Sequence, residues 1–301
     1  MSATTTTDAQ LAFRRPSGVR TVKNALASVY VTIATLLAVI PLIWVLYSVI
    51  TKGLPLILTS TWWLQSQRGI TPRREGGGAY HAIVGTIEMA LICAAIAVPL
   101  GILGAIFLIE YAKGTKVARG VSFMVDILTG IPSIVAALFI YALFITIFGL
   151  GRSAVAVSLA LVMLMLPVVL RSTEEMLKLV PQELREAAYA LGVPKWKTIV
   201  RVVIPTAFSG ICTGVILGLA RVMGETAPLL ILVSYAVGIN FSPTSDTMGA
   251  LPTMINTGRD QAPQLPGYER VWAAALTLII IVMVLNLLAR GIARASKLKE
   301  K

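Results

Sequence analysis

The chain has 301 residues, 56% of them hydrophobic and 13% charged, with a mean hydropathy of +0.83 and a formal net charge of +12. That apolar share is too high, and that charge share too low, for a soluble domain, which leaves a polytopic membrane protein. The basic residues flank apolar runs and form no domain of their own, so they hold loops in the cytoplasm and nucleic acid is not expected as a partner.

Met1 to Gln10 is polar and Thr-rich. The apolar run that follows is too long for a signal-peptide core and lacks a small-residue cleavage pattern, so it is expected to remain as a span. Spanning the bilayer takes roughly 20 apolar residues. The uncharged runs predict helices over Leu26 to Ile50, Ile83 to Ile109, Gly120 to Phe148, Ala154 to Leu170, Thr206 to Val233 and Val271 to Ala289. The expected fold is an all-α bundle of six transmembrane helices. Arg221 and Glu225 divide the fifth run, which could instead be read as two spans, Val202 to Ala220 and Thr226 to Ser245. A seventh span would export the basic tail RGIARASKLKEK, against the positive-inside bias, so six spans with both termini cytoplasmic are expected. The chain then divides into a cytoplasmic tail over 1–23, a membrane domain over 24–290 and a second cytoplasmic tail over 291–301.

Two outer loops follow from this topology. Thr51 to Tyr80 carries Trp62 and Trp63, read as interfacial anchors, and the glycine run Gly76 to Gly78; Tyr235 to Arg270 is rich in proline and glycine after Phe241. Each is long enough to meet an external partner, and each could equally pack over the bundle. Cys93 and Cys212 lie inside apolar runs and form neither a disulfide framework nor a metal cluster with His81, so no metal is expected.

Four ionisable residues fall in or near spans: Glu88, Asp126, Arg221 and Glu225. Charge at membrane depth normally faces a partner, a cavity or a substrate path. Arg221 and Glu225 are four apart and could neutralise each other, but basic before acidic is the less favourable order for a helical pair. Pro228 also removes the bond that the Gly224 carbonyl would accept, which predicts a kink or unwound turn beside both charges. Broken backbone is tolerated there when it lines a cavity, so the functional reading is preferred. A guanidinium fork suits an oxyanion, and Glu225 could accept a proton-bearing oxygen of it, which would favour phosphate over sulfate. Asp126 reads either as a carboxylate near a helix N-terminus, favoured by the dipole, or as a pathway residue. The Ile131-Pro132-Ser133 step is a weaker sign of a second kink beside the path. Glu88 reads as a snorkelling or paired carboxyl.

The longest charged stretch is Arg171 to Pro205. Pro181 can open a helix, Gly192 can close it in the left-handed conformation, and Pro194 can open a second, basic helix. The result is a hairpin at the membrane surface, with Ala187 and Ala188 beside Glu186 leaving a low face for a partner.

Glu186, Ala187, Ala188, Gly192, Val202, Ile204 and Pro205 resemble the EAA loop of ABC-importer permeases, with Val202 and Ile204 departing modestly from its Ile and Leu. TPRREGGGAYHAIVGT at 71–86, GIPSIV at 130–135 and ARVMGETAPLL at 220–230 resemble the phosphate-specific branch of those permeases, and Ala227-Pro228 favours its PstA group over the companion PstC group. The resemblance implies a type I importer permease fold in a bacterial inner membrane. It implies Arg221, Glu225 and Thr226 in the substrate pathway, and Glu186, Ala187, Ala188, Gly192 and Pro205 in a loop that docks on an ATPase; Asp126 and Ser133 stay weaker pathway candidates on the reading of the residues alone. It implies as partners a PstC-like permease, two ATP-binding PstB-like subunits, an external phosphate-binding protein and inorganic phosphate. No Walker A loop is present, so ATP and Mg are expected on the partner ATPase, this chain taking no cofactor and being no enzyme. The rival readings are a permease for molybdate or sulfate, an ion-coupled carrier using Arg221, Glu225 and Asp126 as a relay, and a non-transporting scaffold or sensor subunit. A carrier usually shows two related halves, which this sequence lacks.

Overall fold

A computed structural model describes residues 18–298, with side chains through 294. The tail residues 1–17 and 299–301 of the sequence reading lie outside the described residues. Two compact units are distinguished, Met1–Ile50 and Thr51–Lys301. The first contributes most of helix α1 (Gly18–Ile57), which is apolar all round, as a helix in lipid must be. The rest of this description concerns the second unit.

Its framework is α3 (Tyr80–Tyr111, ending in a π-helical turn from Phe107), α6 (Ala154–Leu179), α8 (Lys195–Met223) and α11 (Pro266–Leu298), preceded by the short α2 (Ser60–Leu64). Between them lie α4 (Lys116–Gly130), α5 (Ser133–Ile147), α7 (Gln182–Ala190), α9 (Ala227–Leu232) and α10 (Leu251–Gly258). Among the described residues, five helices are long and apolar enough to cross a membrane, and six if the bent pair α4 and α5 is one span. The helical membrane bundle expected from hydropathy is therefore observed.

Helix α6 is the centre of the unit. Of its most apolar window 61% is buried within the chain, against 33% for α3, 28% for α8 and 22% for α11. Its sequence explains this. Ala154, Ala156, Ser158 and Ala160 are small enough for close approach, and Val157, Leu161, Met165 and Val169 fill the centre with Met89, Cys93 and Ala97 of α3. Ser153 caps the helix by accepting from the Ala156 N–H at 3.2 Å. Glycines let neighbours close in: a Cβ at Gly101 would stand 2.8 Å from Val169 Cγ1, and one at Gly214 2.1 Å from Ser172 Oγ.

Three expected spans differ in detail. The run Gly120 to Phe148 is no single straight helix: α4 and α5 meet at 105°. Ile131 before Pro132 is forced to extended backbone (φ −71°, ψ 127°), which ends α4 after Gly130. The fourth span continues past Leu170 through Arg171, Glu174 and Lys178 to Leu179, so the first part of the charged stretch belongs to α6. The fifth begins at Lys195, and Pro205 lies inside it instead of opening it. The π-helical turn at Ile199–Val203 widens the backbone just before the ring of Pro205, where an α-helical carbonyl would clash.

Both outer loops fold over the bundle. Ser234–Tyr235 (β1) pairs in parallel with Thr247–Met248 (β2), and α10 follows. The Leu251 N–H donates to Thr86 Oγ1 of α3 at 2.9 Å, and a Cβ at Gly85 would fall 2.0 Å from the Gly249 carbonyl. Trp62 is no interfacial anchor. It is fully buried, its indole donating to Thr277 Oγ1 of α11 at 2.9 Å, while its neighbour Trp63 remains partly exposed. Gly76 and Gly77 have positive φ, and Gly78 sits against the Thr61 and Trp62 carbonyls where no side chain fits.

Candidate functional site

Helix α8 carries the first feature. It ends at Met223; the N–H groups of Gly224 and Glu225 close a last turn on the carbonyls of Arg221 and Val222 at 3.2 Å, and Glu225–Thr226 leave the helix before α9 begins. Pro228 occupies the first turn of α9, where its missing N–H costs nothing. The unwound turn expected from Gly224 and Pro228 is thus present. Arg221 stands on the last turn of the helix and Glu225 in the break itself, so the four-residue spacing no longer places them on one helical face. Neither has an ion-pair or side-chain hydrogen-bond partner among the described residues, so they do not neutralise each other. Arg221 is exposed, and Glu225 and Thr226 are half-buried. Beneath the break, Val222, Leu229 and Leu232 pack into the main core, so the turn rests on a rigid floor.

Asp126 does not stand near a helix N-terminus. Helix α4 starts at Lys116, which puts Asp126 in its third turn, away from the N-terminus. Its carboxylate accepts from Arg171 Nη2 at 2.5 Å, Arg171 also holds Glu174 at 2.6 Å, and Lys178 closes the chain on Glu174 at 2.7 Å. Arg171 donates further to the Ser122 carbonyl at 2.9 Å, so this network fastens α4 to α6. Ser133 starts α5, half-buried at the 105° bend, with Pro132 as its N-cap. Glu88 is half-buried on α3 and unpaired among the described residues.

The charged hairpin takes the expected shape over a shorter length. Helix α7 follows Pro181 and ends in a Schellman closure: the Val193 N–H reaches the Ala188 carbonyl at 3.1 Å, the Gly192 N–H reaches that of Tyr189 at 2.9 Å, and Gly192 has φ +76°. Glu186, Ala187 and Tyr189 face outward with Leu191, 84% exposed, and Trp196. Ala188 turns inward, on the same face as Arg185 three residues earlier.

Arg185 is the residue that the sequence reading missed. It is buried, donates to Glu110 Oε1 through Nη2 at 2.9 Å and Nε at 3.1 Å, and reaches the Val180 and Leu177 carbonyls at 2.7 and 3.0 Å. Lys195 Nζ donates to the Glu110 backbone carbonyl. The signal available was the position of Glu110 one residue beyond an apolar run that ends near a basic stretch.

At the outer end Arg270 is also buried. Its Nη2 donates to the carbonyls of Thr71 at 2.8 Å, Arg74 at 3.2 Å and Pro72 at 3.4 Å, tying the first outer loop to the start of α11. Tyr235, whose hydroxyl lies 3.3 Å from His81 Nε2, has its phenol pushed up by burial and stays neutral. Among the described residues no group of three His, Cys, Asp or Glu side chains could hold a metal ion.

Known proteins match this chain at several levels. Residues 97–298 match the family described as binding-protein-dependent transport system inner membrane component. A phosphate transport system permease protein PstA of Mycobacterium leprae is 52% identical over 274 residues, covering 91% of this chain and 90% of that protein. A PstA protein of Yersinia pestis is 38% identical over 281 residues, covering 93% and 92%. Among solved structures, a bacterial alginate ABC transporter aligns over 90% of this chain and 96% of its own with a TM-score of 0.57 and 17% identity. The MetNI methionine ABC transporter aligns over 73% and 94% with a TM-score of 0.55 and 22% identity; these two likenesses speak for the fold alone. On its sequence the chain belongs to the binding-protein-dependent transport system inner membrane components, as a multi-pass inner-membrane permease of the PstA type.

Proposed function

We propose that this chain is a permease subunit of an ATP-driven importer for inorganic phosphate, that it forms the translocation path with a PstC-like permease, and that it couples to two PstB-like ATPase subunits through Glu186–Gly192. An external phosphate-binding protein delivers the substrate. The relatives named for phosphate transport support the substrate. The observation that carries the pathway assignment is the unwound turn at 224–226, which contains Glu225 and follows Arg221, both unpaired among the described residues. An unpaired guanidinium at membrane depth is costly unless something compensates it, and a bound oxyanion compensates it through two parallel hydrogen bonds.

Each residue then has a stated task. Arg221 binds the oxyanion, Glu225 accepts the proton-bearing oxygen that phosphate has and sulfate lacks, and the Thr226 hydroxyl lines the same turn. Asp126 is spent on Arg171, which favours a positioning role for it over direct substrate contact. On the ATPase side, exposed Glu186, Ala187, Tyr189 and Leu191 suit a helix-in-groove mode. Lys195 to Met223 is one helix, with a π-helical turn at Ile199–Val203, so motion of the hairpin can travel along it to the break.

The test is ATP-dependent phosphate uptake by the reconstituted complex, wild type beside Arg221→Ala, with sulfate as competitor. Loss of uptake with ATPase subunits still bound is expected. Undiminished uptake by Arg221→Ala, or sulfate competing as well as phosphate itself, would remove the assignment and favour a permease for another oxyanion.

A further inference from the structure

Arg185 stands directly before Glu186 but points away from the docking face. Its guanidinium reaches three separate pieces of chain: Glu110 on the terminal π-helical turn of α3, Leu177 in the last turn of α6, and Val180 in the α6–α7 linker. The Leu177 carbonyl accepts the Val180 N–H at 3.4 Å, and Pro181 has no N–H to offer it, so Arg185 adds a second donor at the end of α6. Glu110 is held from the other side by Lys195, the first residue of α8, whose ammonium also lies 5.0 Å from the centre of the Tyr111 ring. Four helices therefore meet at one ion pair, with side chains only 9% and 6% exposed. Replacing such a pair by apolar packing is often no loss of stability, while its hydrogen bonds here set the position of α7 against α3 and α6.

We infer that Arg185 is a positioning residue that locks the docking helix α7 to the inner ends of α3 and α6, so that a displacement imposed on α7 is delivered to those helices as well as along the chain into α8. Without it, α7 keeps its links at Val180–Pro181 and Leu191–Pro194 and the inward packing of Ala188, and loses its charged anchor to α3 and α6. ATP would then be hydrolysed while α3 and α6 stay still. The inference rests on the importer reading above.

The test uses the complete complex in proteoliposomes, comparing wild type, Arg185→Gln, Glu110→Gln and Arg185→Lys. ATP hydrolysed and phosphate imported are measured in the same vesicles. In parallel, spin labels at Glu183→Cys, exposed on α7 and outside Glu186–Gly192, and at Lys113→Cys, in a Cys93→Ala/Cys212→Ala background, report the distance between α7 and the end of α3. Arg185→Gln and Glu110→Gln are expected to raise ATP consumed per phosphate about fivefold or more and to broaden a label distance that stays narrow through the ATP cycle in the parent. Arg185→Lys, which keeps the charge and loses the fork, should lie between. A residue that served stability alone would lower the yield of assembled complex and leave the ratio and the distance at parental values, and that result overturns the inference. If the parent complex imports no phosphate, the importer reading falls while the label distances still decide the role of Arg185.

Discussion

The two ends of α8 treat charge in opposite ways. Around its start, Arg185, Glu110, Lys195, Arg171, Asp126, Glu174 and Lys178 all have partners within the chain, and each contact joins one helix to another or stiffens one. At its far end Arg221 and Glu225 stand beside broken backbone with no partner among the described residues. Charge that serves the fold is neutralised by the fold. On the proposed function, the charge left open at the break is there for a substrate that arrives from outside the chain.

The largest effect expected at the paired end comes from Glu110→Ala, which leaves Arg185 buried without its anion. A loss of about 3–5 kcal/mol is expected from breaking one side of a buried pair, read as a fall in the thermal midpoint of the detergent-solubilised protein. At the open end the sign differs. Arg221→Ala should leave that midpoint unchanged or higher while reducing phosphate uptake roughly tenfold to a hundredfold, the worth of about 1.5–3 kcal/mol for hydrogen bonds to a charged group. Loss of stability in Arg221→Ala would mean that its guanidinium has a structural partner and would erase the contrast.

Smaller changes sharpen it. Gly192→Ala imposes a side chain on a left-handed position (φ +76°) with open space around it. The cost is expected to be about 1 kcal/mol, visible as reduced ATPase docking in a pull-down from membranes more than as unfolding. Asp126→Asn removes one end of a network whose carboxylate is 67% exposed. Its cost should lie at about 0–1 kcal/mol after solvent screening, with uptake near wild type; a large uptake defect would return Asp126 to the pathway.

Much of this architecture was legible in the sequence because lipid makes the hydropathy signal strong. The apolar runs locate the long helices, and Pro228 after Gly224 locates the break in α8. The EAA spacing located a hairpin whose short helix spans Gln182–Ala190. The remainder depends on what lies opposite. Trp62 looks like an interfacial anchor until Thr277, 215 positions away, is placed against its indole. Ala187 and Ala188 look alike in sequence, and only the packing of α7 turns the second inward. Arg185 and Glu110 are separated by 75 positions, and a charge inside a charged stretch looks solvated until the helix beneath it is known. The bend at Ile131–Pro132 was visible as a weakness, but its 105° angle was not, nor was the Arg171–Asp126 pair that fastens α4 to α6.

The most direct measurement is thiol labelling of Thr226→Cys in the Cys93→Ala/Cys212→Ala background, which leaves Arg221 and Glu225 in place. A small, charged thiol reagent should reach position 226 through water in the assembled complex, and phosphate should slow that reaction while sulfate at the same concentration does not. Labelling that phosphate leaves unchanged, or a thiol that no charged reagent reaches from either side of the membrane, would contradict the assignment of the broken turn to the substrate path.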